Sequence, residues 1–273
     1  MGGALEGVRF LANSANRVRV LEALADGSAT RREVQETTGI PRSTVARNLA
    51  AAEDRGWVSS EGSRYDLTTS GELWVAEFRG YLETTAGMKH LGPAIEWLPD
   101  PAYELDFRHF RGATVTTPTD GNPTAPFDRA LKLVREADSY RGLTQNSLPQ
   151  LMSVVRDRVV ADELAYEGVI EASFLDVVRE SEDRAARWRG IASRMYRYDG
   201  HVPLNVHIVD GRTLLWLCTE NEAGEDVIVK GLLESEVPAV VSWTESLYEE
   251  FRAESDPVDA ELMSPEGPDP PES

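Results

Sequence analysis

The most constraining feature of the chain is a short segment centred on residue 39. Two helix-forming stretches flank Gly39-Ile40-Pro41. Thr30 can cap the first stretch, residues 31–38, and Glu33 three positions on completes a capping-box pattern. Gly39 suits the left-handed position that stops a helix, and Ile40-Pro41 makes the turn. The second stretch, about residues 42–55, sets Val45, Leu49 and Ala52 at spacings of four and three, which is one apolar helix face. Upstream, Leu11, Ser14, Val18, Leu21 and Ala25 keep a helical stripe, predicting one helix over about residues 6–25. Downstream, Trp57-Val58 and Arg64–Leu67 flank Ser-Ser-Glu-Gly-Ser, a hairpin with a glycine at its tip.

Helix, helix, tight turn, helix and hairpin, in that order, have the spacing of a helix-turn-helix with a wing. Residues 29–49 resemble the helix-turn-helix of archaeal and bacterial winged-helix transcription regulators. Arg55-Gly-Trp-Val and Tyr65-Asp-Leu-Thr-Thr-Ser-Gly look like the end of the recognition helix and the return strand of the wing. The resemblance covers about residues 8–72 and implies contact with double-stranded promoter DNA. With Val45, Leu49 and Ala52 inward, we expect Arg42, Ser43, Thr44, Arg47, Asn48 and Ala51 to face outward. Arg47 can pair a guanine edge and Asn48 an adenine edge. Ser43 and Thr44, at the helix N-terminus, suit phosphate oxygens. Thr30, Arg31 and Arg32 open the preceding helix as candidate backbone contacts, and Arg64 lies on the wing. Each has an ordinary alternative. Arg47 and Asn48 can simply solvate a surface, Glu33 and Glu36 can pair with Arg31 and Arg32, and a winged helix can serve as a protein-interaction module. Arg55 is placed to cap its helix.

Residues 71–92 read as a helical connector, with Trp74, Phe78, Tyr81, Thr85 and Met88 on one stripe. Such a stripe packs against the first helix or forms a dimer seam, and we expect a homodimer. The winged helix-turn-helix is then residues 1–70.

Charge separates the rest of the chain from this head. The 273 residues carry 28 basic and 47 acidic side chains, a net of −19. Residues 1–90 hold 11 basic and 12 acidic residues, and residues 91–273 hold 17 and 35. Only Lys89, Lys132 and Lys230 are lysines. Many carboxylates with few lysines is the balance of a halophilic protein, where a Debye length of about 3 Å at molar salt screens the net charge. The acidity therefore does not exclude nucleic acid. No apolar stretch reaches membrane-spanning length, and the first residues lack the pattern of a signal peptide. We expect a cytoplasmic protein without a membrane partner. The single Cys218 excludes an internal disulfide. Residues 255–273, acidic and with five prolines, read as a disordered tail.

Strand and helix patterns alternate over residues 93–254 and end in a meander and a closing helix, predicting an α/β sandwich inside an α+β chain. Asp210-Gly211 signals a two-residue hairpin. Tyr166-Glu-Gly-Val-Ile-Glu-Ala, Val202-Pro-Leu-Asn-Val-His-Ile-Val-Asp-Gly and Trp243…Leu247-Tyr-Glu-Glu-Phe resemble the domain behind the winged helix in a family of methanogen and haloarchaeal regulators, named for a regulator of filament growth. That resemblance implies a sensing or oligomerisation domain of phospholipase-D-like architecture. The double His-Lys-Asp motif that gives such a fold hydrolytic chemistry is missing from the sequence. No zinc-protease helix motif, phosphate loop or G-x-S-x-G is found, so we expect no enzyme, cofactor or metal site. His207, on a strand, reads as a structural histidine. Small molecules bind beyond the carboxyl ends of strands. The polar residues there, Thr116, Thr144, Gln145, Asn146 and Ser173, with Arg129 and Arg197 for charge, are candidates to bind a phosphorylated metabolite.

Overall fold

The computed structural model describes residues 2–146, 149–180, 182–220 and 227–258. The chain divides into two compact units, residues 1–85 and 86–273.

The first unit opens with α1 (Gly2–Ala12) and α2 (Ala15–Glu22). The single helix expected over 6–25 is thus two. Ser14 breaks it: its backbone is extended and its side chain accepts from the Arg17 N–H, so it caps α2. A two-residue strand, β1 (Ala29–Thr30), precedes α3 (Arg31–Thr38). Both halves of the Thr30/Glu33 capping box form, and Gly39 ends α3 with φ 69°. After the turn come α4 (Arg42–Glu53), β2 (Val58–Glu61), β3 (Arg64–Leu67) and α5 (Thr69–Leu91). β3 lies between β1 and β2, antiparallel to both. One core joins the helices and the hairpin, with Leu21, Val34, Val45 and Leu49 wholly buried. Trp57 stacks on Trp74 of α5 with ring centroids 4.9 Å apart, and Phe10 meets Trp57 edge-on.

The second unit begins with three 3-10 segments, Gly92–Trp97, Asp100–Glu104 and Phe107–Gly112, which the sequence pattern did not reveal. Pro93 and Pro101 sit in the first turns of the first two, where a missing N–H costs nothing. There follow β4 (Thr114–Thr116), α6 (Ala125–Glu136), β5 (Ser139–Thr144), α7 (Pro149–Val160) and β6 (Ala165–Glu171). Two short helices follow, α8 (Ala172–Arg179) and α9 (Glu182–Arg189). The chain continues through β7 (Met195–Tyr198), β8 (Val206–Val209), β9 (Arg212–Glu220), β10 (Val227–Ser235), α10 (Pro238–Ala253) and β11 (Asp256–Pro257).

Among the described residues these strands form one sheet of eight, ordered β11-β7-β6-β5-β8-β9-β10-β4. β5, β6 and β7 are parallel, and the other pairings are antiparallel. Asp210 and Gly211 both adopt positive φ, 48° and 75°, in the β8–β9 turn, as a type I′ hairpin requires. Apolar layers cover both sheet faces. α6, α7, α8 and α9 supply one; α10 and the 3-10 segments supply the other. The expected disordered tail is corrected in its first residues. β11 pairs with β7, and Val258 is buried against the α6–α9 side, because that edge of the sheet offers unpaired backbone and an apolar margin. The remainder of that stretch, 259–273, lies outside the described residues.

Gly71, in the first turn of α5, faces the backbone of Trp57, and a Cβ built there would overlap the Trp57 carbonyl oxygen. That oxygen already accepts from the Thr68 N–H, so it is not free to shift. Gly71→Ala should therefore destabilise the first unit by about 1–3 kcal/mol, measured by thermal or urea unfolding against the unsubstituted chain. An unchanged midpoint would show that α5 can lift off the hairpin freely.

Candidate functional site

α4 contributes the surface expected to meet DNA. Its buried residues are Val45, Asn48, Leu49 and Ala52, so what remains outward follows from helical geometry. Arg42, Ser43, Arg47 and Ala50 are exposed, and Thr44 is half-buried. Arg47 sits mid-helix, and its guanidinium makes no hydrogen bond or ion pair among the described residues. Asn48 corrects the sequence expectation. It is 4% exposed and faces the core beside Leu49, because the side of α4 that meets the rest of the unit is wider than the Val45–Leu49–Ala52 stripe. Ala51 is likewise half-buried against the core, and Ala50 takes the outward place.

The other candidates are held by their neighbours. The Thr30 hydroxyl accepts from the Glu33 N–H, and the Thr30 N–H donates to Glu33 Oε2 at 2.6 Å. That backbone donor is the main reason the Glu33 carboxyl titrates below its ordinary value. Arg32 pairs with Glu36 at 2.9 Å, and both side chains stay exposed. The Arg31 guanidinium lies over the Tyr65 ring, 5.1 Å from its centroid. Arg64 donates to the Ser28 hydroxyl at 3.0 Å and to the Ser28 carbonyl, which ties the wing to the segment before β1. Arg55 donates to the Ala51 carbonyl at 2.9 Å, capping α4.

One participant was hidden in the sequence. Arg17 of α2 lies near Arg47 and Arg55. Burial first, then the charges of Arg55 and Arg47, lower its pKa. Arg17 and Arg55 sandwich the Phe10 ring, each 3.9 Å from its centroid. Three guanidiniums thus gather beside α4. Arg17 stands thirty residues before Arg47, so only the packing of α2 on α4 could reveal it.

The second unit holds a cavity of about 560 Å³ on the α6–α7 side of its sheet. Strand alternation builds its floor: Tyr140, Gly142 and Thr144 on β5, Tyr166 on β6, Asn205 and His207 at β8, Trp216 and Cys218 on β9. Phe127 of α6 and Leu151 and Met152 of α7 line it from the helical layer. Gly142 pairs with Gly168 on β6 and with His207 on β8. A Cβ on Gly142 would stand 3.0 Å from both the His207 ring and the Tyr140 ring, so its absence makes room for them. The Tyr140 hydroxyl and His207 Nδ1 are 2.8 Å apart. Burial pushes the His207 pKa down to about 3 and the Cys218 thiol up to about 11, and raises both tyrosines above their ordinary range.

Of the proposed metabolite residues, Thr144 and Asn146 line this cavity. The others do not, and each for a structural reason. The Gln145 side chain donates to the Val202 carbonyl. Arg129 forms a two-pronged bond to Glu234, which also pairs with Arg212. Ser173 donates to Glu171, Arg197 pairs with Asp199, and Thr116 lies on the edge strand β4.

Residues 5–89 match the HVO_A0261 N-terminal domain. Residues 123–254 match the middle domain of the methanogenesis regulatory protein FilR1. The chain is built as an archaeal helix-turn-helix regulator. A stretch of 58 residues is 43% identical to the HTH-type transcriptional regulator Rv1719 of Mycobacterium tuberculosis; it covers 21% of this regulator and 22% of that protein. Among solved structures, TrmBL2, an archaeal chromatin protein, is 12% identical over 93% of the regulator and 99% of that chain, with a TM-score of 0.40. Nuc of Salmonella typhimurium, a phospholipase D family member, is 12% identical over 52% and 96%, also at 0.40. Neither likeness is close enough to bear on function. No helix among the described residues is long and apolar enough to cross a membrane.

The buried His207 makes a prediction about acid stability. Folded, it stays neutral down to about pH 3; unfolded, it takes up a proton near its ordinary 6.5. Stability from this group is complete above pH 6.5 and drains away as pH falls from 6.5 towards 3. His207→Gln should therefore lose less unfolding stability than the parent between pH 7 and pH 5. Equal losses in thermal melts at the two pH values would count against a buried neutral imidazole.

Proposed function

We propose that the regulator reads promoter DNA with α4 as a homodimer, and that its second unit senses a small molecule in the cavity. The observation that carries the DNA reading is Arg47, exposed and unspent mid-way along a helix whose opposite face is buried. A guanidinium in that position suits bidentate pairing with a guanine edge in the major groove. Arg42 and Ser43 sit at the helix N-terminus, where backbone N–H groups also favour phosphate. The cluster of Arg17, Arg47 and Arg55 adds charge beside the helix. For the dimer, the supporting feature is α5. Trp74 and Phe78 are spent on the first unit's core, whereas Tyr81 and Met88 on the same stripe are 60% and 40% exposed. A low-lysine, strongly acidic surface suits concentrated salt and the cytoplasm of a halophile. The similarity of the second unit to the middle domain of a regulatory protein supports reading it as non-catalytic.

Fluorescence anisotropy on the regulator's own promoter in concentrated KCl tests the DNA role. Arg47→Ala should weaken specific binding by about 1–3 kcal/mol, while Asn48→Ala should act on unfolding stability rather than base preference. Unchanged affinity and specificity for Arg47→Ala would remove Arg47 from the interface. No promoter binding by the parent chain would favour a protein-interaction module. For the dimer, Tyr81→Asp combined with Met88→Asp should give a monomer by light scattering. A monomeric parent chain at micromolar concentration would overturn this seam.

A further inference from the structure

The geometry points to an uncharged, planar aromatic molecule bearing a hydrogen-bond acceptor as the ligand of the sheet–α6–α7 cavity. The inference rests on the sensing role proposed above and names its ligand class.

Size comes first. At about 560 Å³ the space falls within the range of small-molecule sites, roughly 300–1,000 Å³. The walls come next. Phe127, Tyr140, Tyr166, His207 and Trp216 line it, and they form a continuous chain of ring contacts. Tyr166 lies 5.4 Å from Tyr140, Tyr140 stacks on His207 at 5.1 Å, His207 meets Trp216 edge-on, and Trp216 lies 5.3 Å from Phe127. Gly142 and Gly168, side by side on β5 and β6, carry no Cβ and so make room for two of these rings. The tyrosine two residues earlier on each strand lies over the glycine that follows it. A space lined by five aromatic rings favours an aromatic guest through offset and edge-on ring contacts.

Charge decides against a phosphorylated guest. No lysine or arginine is among the described lining residues. The cations nominated for a phosphate, Arg129 and Arg197, are paired with Glu234 and Asp199. An anion entering this space would lose its hydration without a partner.

The polar groups then fix orientation. Asn205 Oδ1 already accepts from the Thr144 hydroxyl at 2.7 Å and from the Gln145 N–H at 2.8 Å. His207 has Nδ1 against the Tyr140 hydroxyl. With that hydroxyl donating, the neutral ring carries its proton on Nε2, for which no partner is recorded among the described residues. That N–H is the donor to a phenolic or carbonyl oxygen of the guest.

The chain's single cysteine makes the test possible without a substitution. Cys218 lines the cavity, so the rate of its labelling by N-methylmaleimide reports occupancy. Burial suppresses its thiolate, and the reaction is followed at pH 9 on the full chain, with p-cresol as the probe and cyclohexanol and glucose 6-phosphate as comparisons. At ten times its dissociation constant p-cresol should slow labelling about tenfold, cyclohexanol much less and glucose 6-phosphate not at all. Protection by glucose 6-phosphate, equal protection by cyclohexanol, or no protection by p-cresol would each overturn the ligand class. Promoter binding is measured alongside. Protection by p-cresol without any change in promoter affinity would uphold the ligand class and overturn the sensing role instead.

Discussion

How much of α4 is buried decides what surface the first unit can offer to DNA. A helix that packs against a hairpin and two other helices must give up one side to apolar contact. Here that side is broad, taking Val45, Asn48, Leu49 and Ala52. What is left outward is narrow: a row of Ser43, Arg47 and Ala50, with Arg42 at its start. One long directional side chain among small ones is an economical arrangement for groove contact, since small neighbours allow close approach. α3 and the wing then hold α4 in place. The capping box starts α3, Gly39 ends it, and Arg64 ties the wing to Ser28.

The second unit uses the same physics for a different end. Both faces of its sheet are covered, yet the covering on the α6–α7 side is incomplete. A set of aromatic rings lines a space there rather than a packed layer, and Gly142 and Gly168 give Tyr140 and Tyr166 the room they occupy. Tyr140 and His207, hydrogen-bonded to each other in the lining of that space, are neutral because burial penalises both charged forms. The uncharged lining of this space contrasts with the acidic composition of the same unit, and that contrast separates the ligand's chemistry from the chain's overall charge.

Much of the first unit was legible in the sequence because its signals are local. The Thr30/Glu33 box, Gly39, the turn and the α4 periodicity all act within twenty residues. The break at Ser14 was missed since an apolar stripe runs through it, while Ser14 itself carries the competing cap. In the second unit, helices and strands with clear periods were found, and Asp210-Gly211 marked its hairpin. The 3-10 segments at 92–112 have too short a period to register. The polar residues at strand ends were a fair guide to the cavity's rim at Thr144 and Asn146. They misled at Gln145, Arg129, Ser173 and Arg197, each of which is spent on a local or buried partner.

The sequence by itself determined the helix-turn-helix with its wing, the near-neutral head and acidic remainder, and the alternation that makes the second unit a layered sheet. These follow from residue spacing and composition. The tertiary structure alone decided that Asn48 is buried, that Arg17 joins Arg47, and that Tyr140, Tyr166, His207 and Trp216 surround one space. The reason is distance along the chain. Burial and electrostatic environment are set by neighbours thirty to eighty residues away, and no local pattern records which strands lie side by side.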